Sequence, residues 1–209
     1  MLSTKRTEQL KKSASAAGRP RAFAPDEALL HALDVFWRKG YQATSLDDLT
    51  AAMQLSRSSF YACFGSKHAV LLAAVQRYAD GFYSAICEVA ATEPEPRRAF
   101  EAIMARIVDV HGGPHGCFFL NSVTELAPHD AELADYSRGH IERTTALLAG
   151  LLRRLGFSPE QAGERATAAF AMAMGAVTLR KAGAATALIQ TVLDQHRLLL
   201  TGQARTPAL

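Results

Sequence analysis

The stretch from Thr44 to Lys67, TSLDDLTAAMQLSRSSFYACFGSK, narrows the folds open to this chain more than any other, because it divides into two short helices, a tight turn and the start of a third helix. Thr44 can cap the first helix, with Asp47 three positions on completing a capping-box-like pair. Leu46, Leu49 and Met53 then share one face, and Gln54 and Leu55 make the turn. Ser56 is a good N-cap for a helix to about Ala62, in which Phe60 and Phe64 point inward at i,i+4 spacing while Arg57, Ser58, Ser59 and Tyr61 face outward. This is the layout of a helix-turn-helix whose second helix enters the DNA major groove. An ordinary helical hairpin with a polar outer face is the competing reading.

The flanks favour the first reading. Pro25 suits a first helical position, with Asp26 and Glu27 complementing the positive end of the helix dipole and Gly40 ending the helix. Leu29, Leu33, Phe36 and Trp37 form an apolar stripe that packs most simply on the segment that follows, which makes Trp37 a core residue. Downstream, Ser66 caps a long helix to about Val89 with Lys67 in its first turn, where amides and a cation together suit a phosphate.

LSRSSFYACFGSKHAVL, preceded by ALDVFWRKGYQATSLDDLTAAM, resembles the DNA-binding core of the TetR family of bacterial transcriptional repressors, over residues 25–75. The resemblance implies an all-α homodimer of about nine helices: a three-helix DNA-binding domain over 25–65, then a bundle over 66–209 for ligand binding and dimerisation. It also implies double-stranded operator DNA, a second copy of the chain and a small-molecule inducer as partners. The implied DNA-binding set is Thr44, Ser45, Ser56, Arg57, Ser58, Ser59, Tyr61 and Lys67. Thr44 and Ser45 would touch phosphate, Arg57, Ser58 and Ser59 would meet bases or phosphates, and Tyr61 and Lys67 would hold the backbone. Ser58 departs from a frequent glycine, and Cys63 stands where a histidine or other polar residue is common.

Net charge is only +3 over the 209 residues, but its distribution is uneven. Residues 1–80 carry 11 Lys+Arg against 7 Asp+Glu, and the remainder 12 against 13, so the positive charge lies on the expected DNA-binding half. Within it, residues 1–24 read as a basic flexible arm, either a solvated tail or a source of added phosphate contacts. No stretch has the length of apolar sequence a membrane span needs and no secretion signal is visible, so the chain is expected to be cytoplasmic with no membrane partner. Cys63, Cys87 and Cys117 are odd in number and lack metal-finger spacing, which fits reduced thiols. His111, His115 and Cys117 lack a firm fourth ligand, so neither metal nor cofactor is expected.

The second half reads as helices throughout: about Pro96 to His111, Cys117 to Ala127, Ala131 to Leu155 behind an Asp130 cap, Ser158 to Lys181, and Ala184 to Leu200. The third of these puts Leu133, Tyr136, His140, Ile141, Thr144, Leu147, Leu148 and Leu151 on an inward face. The fourth is rich in small residues, including Ala166, Ala168, Ala169, Ala171, Ala173, Gly175 and Ala176, and with the fifth offers surface for a four-helix interface between two copies.

Phe82, Tyr83 and Ile86 can line a ligand pocket with Cys117, Phe118, Phe119, Tyr136, Phe170 and Met174, although such a set is also what a plain core requires. Asn121 and Glu125 are polar on an apolar helix, so one of them can orient a ligand, and His140 with Glu125 in the same pocket is the one acid/base pair open to a helical enzyme. Cys117 reads either as a packing residue or, because it sits at a helix start where amides favour thiolate, as a reactive one. GCFFLNSVTELAPHD resembles a stretch in a branch of the family some of whose members respond to electrophiles or oxidants, which makes a thiol-reactive inducer the alternative to a reversible one. The chain lacks a nucleophile elbow, a Walker loop, a zincin motif and a dinucleotide fingerprint. A small helical enzyme and an effector-independent DNA-binding protein are the runner-up readings.

Overall fold

The computed structural model describes residues 25–110, 113 and 115–201, so the arm expected over residues 1–24, and His111, lie outside the described residues. The described residues are all-helical. In chain order the elements are α1 (Pro25–Lys39), α2 (Leu46–Ala52), α3 (Arg57–Phe64), α4 (Lys67–Thr92), α5 (Pro96–Val110), α6 (Phe118–Leu126), a 3-10 turn (Ala127–His129), α7 (Ala131–Arg154), α8 (Pro159–Lys181) and α9 (Thr186–Leu199).

Side-chain caps set most of the starts. Ser56, Ser66, Asp130 and Ser158 each accept the backbone N–H three residues on, and Ser158 forms a full capping box with Gln161. The cap of α2 corrects the sequence expectation by one position: Ser45 is the N-cap and Asp48 its box partner. Thr44 is buried, and its hydroxyl donates instead to the Gly40 carbonyl at 2.6 Å. Two neighbouring residues could each have capped, and burial of Thr44 leaves Ser45 as the one facing solvent.

Two apolar clusters make the core. In the first, Leu29, Leu33 and Phe36 of α1, Leu49 and Met53 at α2, and Phe60 of α3 pack on Val70, Leu71, Ala74 and Val75 of α4 and on Phe118 and Phe119 of α6. Full burial of a side chain such as Phe36 or Phe60 contributes about 2–3 kcal/mol, so α3, with only eight residues, is held by this platform and not by its own propensity. The second cluster joins Ile86 of α4 to Phe100, Ile103, Met104 and Ile107 of α5, Leu148 and Leu151 of α7, the buried alanines of α8 and Ile189 of α9. α4, at 26 residues about 39 Å long, belongs to both clusters and runs from one to the other. Ile141, expected inside, is 37% exposed, because Ser137, His140, Thr144 and Leu148 take the buried face of α7.

Candidate DNA-binding face and bundle cavity

The exposed face of α3 is built from the turn outward. Gln54 takes φ +55° in the turn, reversing the chain so that Ser56 can cap, and Phe60 anchors the helix from beneath at 0% exposure. That leaves Arg57, Ser58, Ser59 and Tyr61 exposed, with the Tyr61 ring edge-on to Phe60 and more than half accessible. The Ser56 hydroxyl lies 2.9 Å from that of Ser58 and donates to that of Ser59 at 3.0 Å, so the three serines form one hydroxyl cluster at the helix start. Arg57 is engaged by Asp47 of α2, with Nη2 2.7 Å and Nε 3.2 Å from one carboxylate oxygen.

Around this face, Ser45 is exposed at the start of α2 and Lys67 is half-buried at the start of α4 with its ammonium 4.3 Å from the Tyr41 ring centre. Lys39 donates to Asp48 at 2.6 Å, a bond that holds the Asp48 carboxyl down at about 2. Of the expected DNA-binding residues, Ser45, Ser56, Arg57, Ser58, Ser59 and Tyr61 are exposed and Lys67 is half-buried. Thr44 differs from these: it is buried, and its hydroxyl is already bonded to the Gly40 carbonyl.

The expected ligand residues divide. Phe82, Cys117, His140, Phe170 and Met174 share the wall of one small cavity with Tyr78, Ala79, Ile107 and Phe119, and its volume is about 20 Å³, room for little more than a water. Tyr83 and Tyr136 flank it through His140, at ring separations of 6.4 and 6.3 Å. Ile86 is sealed in the second core cluster. Phe118, Asn121 and Glu125 instead face a separate outer cleft of about 360 Å³, shared with Trp37, Lys39, Tyr41 and Lys181. Asn121 bridges the His115 carbonyl and the Lys181 ammonium at 2.7 and 2.8 Å.

Three groups behave differently from what their sequence positions suggest. The acid/base pair expected of His140 and Glu125 does not form: Glu125 accepts from the amides of Tyr41 and Gln42, while His140 Nδ1 lies 2.8 Å from Arg143 Nη2. Burial first, then the Arg143 charge, push His140 down to about 4, so it is neutral at pH 7. Cys117 is the N-cap of α6, its Sγ accepting the Leu120 amide at 3.4 Å, yet burial outweighs that help and pushes the thiol up to about 11.

Sequence reasoning missed the polar group outside the cavity. Arg143 of α7 donates to Asp80 of α4 and lies 4.5 Å over the Tyr83 ring, and the Tyr136 hydroxyl donates to Asp80 at 3.0 Å. The charged partners sit 63 positions apart, so no local spacing announces them. Among the described residues, no cluster of His, Cys, Asp and Glu suits a metal ion, and no helix is long and apolar enough to cross a membrane.

Residues 29–74 match the model of the bacterial regulatory proteins of the tetR family, and residues 85–195 match that of the LmrA/YxaF-like transcriptional regulator C-terminal domain. The HTH-type transcriptional repressor ComR of Escherichia coli is 35% identical over 139 residues, 64% of this chain and 64% of that protein. The chain thus spans just under two thirds of that relative's length. YezE, an HTH-type transcriptional regulator of Bacillus subtilis, is 34% identical over 140 residues, 65% of this chain and 72% of that protein. Among solved structures, a cysteine mutant of the TetR family regulator CifR complexed with 26-bp operator DNA superposes with TM-score 0.71 at 26% identity, covering 87% of this chain and 98% of that one. A TetR-family regulator from Streptomyces coelicolor shares the fold, with TM-score 0.76 at 21% identity over 84% of this chain and 93% of its own. With one model matched across the helix-turn-helix and the other across more than half of the sequence, the chain belongs to the TetR family of bacterial transcriptional regulators.

Proposed function

We propose that this chain is a cytoplasmic repressor that binds operator DNA as a homodimer and is released when a small, largely apolar molecule enters the bundle cavity. The observation that carries DNA binding is the face of α3, where Arg57, three serines and Tyr61 stand exposed on a helix buried beneath through Phe60. Such a set offers hydrogen bonds to base edges and phosphates. The kinship with ComR, a repressor by name, and with an operator-bound CifR supports the sign and the partner.

Pairing is supported by α8, which has two faces of small residues. Ala162, Ala166, Ala169, Ala173 and Ala176 are buried within the chain, whereas Ala168, Ala171, Gly175 and Leu179 stand exposed on another side of the helix. On α9, Leu188 and Leu198 are also exposed, and two copies packed through α8 and α9 would cover all of these in a four-helix contact.

Release is supported by the cavity, whose walls come from α4, α5, α6, α7 and α8. At about 20 Å³ it admits no drug-sized molecule without repacking, so an occupant must move its walls, and movement is what a switch requires. Aromatic rings, Met174 and neutral His140 suit an uncharged ligand with few polar atoms. A thiol-reactive trigger at Cys117 is disfavoured, since a thiol raised to about 11 is almost wholly un-ionised at neutral pH.

Footprinting of the DNA upstream of the chain's own gene, with and without small apolar metabolites, tests the reading. A protected palindromic site that is lost with one such metabolite is expected. Equal protection of that DNA and of bulk competitor would sink it.

A further inference from the structure

The loop between α1 and α2 is held from outside by the bundle. Glu125, in the last turn of α6, accepts the Tyr41 amide at 3.0 Å through Oε2 and the Gln42 amide at 2.9 Å through Oε1. One carboxylate thus receives two consecutive amides, a charge-assisted fork between parts of the chain more than eighty positions apart. Gly40 lies against it: φ is +79°, and a Cβ there would stand 3.2 Å from Glu125 Oε2. Just before α6, the Gly116 carbonyl accepts the Trp37 indole N–H at 3.1 Å. The α6 segment therefore grips the end of α1 and the following loop at two separate points.

Both sides of that grip lead somewhere. Beyond the loop, the Tyr41 carbonyl accepts the Thr44 amide, Ser45 starts α2, and the Tyr41 ring carries Lys67. On the other side, Cys117 and Phe119 of the same short helix form part of the cavity wall, Phe119 4.7 Å from the His140 ring centre.

We infer that Glu125 is a positioning residue: by holding the loop between α1 and α2 against α6 it helps set the pitch at which paired copies present their α3 helices. The inference rests on the paired-copy reading above. Without the carboxylate, the loop keeps its own turn bonds and the Tyr41 contact with Lys67 but loses its tie to α6. A glutamine keeps the shape but must point its NH₂ group at one of the two amides, so it can satisfy at most one.

The test uses full-length protein and duplexes selected by the wild type from a random pool, resynthesised with half-site spacing shortened or lengthened by one base pair. The wild type is expected to lose about tenfold in affinity at either altered spacing. Glu125→Ala and Glu125→Gln should lose about tenfold at the selected spacing, the scale of a lost charge-assisted hydrogen bond. Both should also respond much less to spacing, and both should exchange the Tyr41 and Gln42 amides faster, with melting temperatures near that of the wild type. Variants that keep the wild-type spacing profile and wild-type exchange at those amides would overturn the inference. A wild type indifferent to spacing would instead overturn the paired-copy reading, so the two failures are told apart.

Discussion

Arg57, the charged residue that leads α3, is occupied before any DNA arrives. Its partner Asp47 is itself exposed, so the pair is a weak, solvent-screened surface ion pair, and phosphate competes with it readily. Removing the acid should free the guanidinium and delete a negative charge from the DNA-facing surface. Asp47→Asn is therefore expected to tighten binding to selected and random duplex alike, by several-fold in low salt and fading as salt rises, as followed by fluorescence anisotropy. Arg57→Ala should weaken binding, and a loss confined to the selected duplex, about 1–3 kcal/mol in discrimination, would identify a base contact. A second residue-scale prediction concerns pH. His140 is held at about 4 in the folded chain against 6.5 unfolded, so the neutral form is favoured by folding. Its stabilisation is complete above about pH 6.5 and is lost as pH falls through 4, a change on the order of 2 kcal/mol after allowance for solvent screening. His196 is also pushed down by burial, so its contribution too is lost as pH falls. Urea unfolding between pH 7 and 4 should show the decline, and His140→Gln should flatten part of it. A variant with an unchanged slope would count against this assignment.

At the scale of the element, the helix-turn-helix was readable because its determinants are local: Ser56 as cap, Phe60 and Phe64 one turn apart, and Gly65 at φ +77° as a stop all lie within ten residues. The start of α2 was off by one for an equally local reason, two adjacent hydroxyls, between which the Gly40 carbonyl decides by taking Thr44. Glu125 stands out as polar on an apolar helix, but what it binds does not show in the sequence. Its partners are backbone amides in a distant loop, and amides carry no residue identity for a sequence to display. The turn itself yields a prediction. Gln54 is the one non-glycine residue with positive φ among the described residues, and a side chain in that left-handed region costs about 1 kcal/mol. Gln54→Gly should raise the melting temperature by a few degrees even after the entropy a glycine adds to the unfolded chain. A fall would mean that the Gln54 side chain makes a compensating contact.

At the scale of the whole molecule, the proposed pairing turns on which apolar surface the chain buries within itself and which it leaves for a second copy. Alanine is ambiguous in sequence, since it fits a close intramolecular contact and a close intermolecular one equally well; only the fold separates the buried set on α8 from the exposed Ala168, Ala171 and Gly175. The exposed leucines sharpen the assignment. Leu179, Leu188 and Leu198 are 41%, 46% and 57% accessible and lie on α8 and α9, the last two helices of the bundle, while the fourth exposed leucine, Leu30 at 48%, lies on α1. A stable pair must bury about 1,200–2,000 Å² in total, which two helices from each copy can supply but which does not survive charges at its centre. The double variant Leu188→Glu with Leu198→Glu leaves both cores untouched, because neither side chain belongs to a buried cluster. It is expected to sediment as a folded monomer, to keep its helical circular dichroism, and to lose the selected palindromic duplex while retaining weak, salt-sensitive binding to random DNA. Sedimentation as a dimer with operator affinity intact would place the interface elsewhere. Loss of operator binding by a variant that is still dimeric would break the link between pairing and recognition, because a monomer reads only one half-site and forfeits the second set of contacts that makes binding specific.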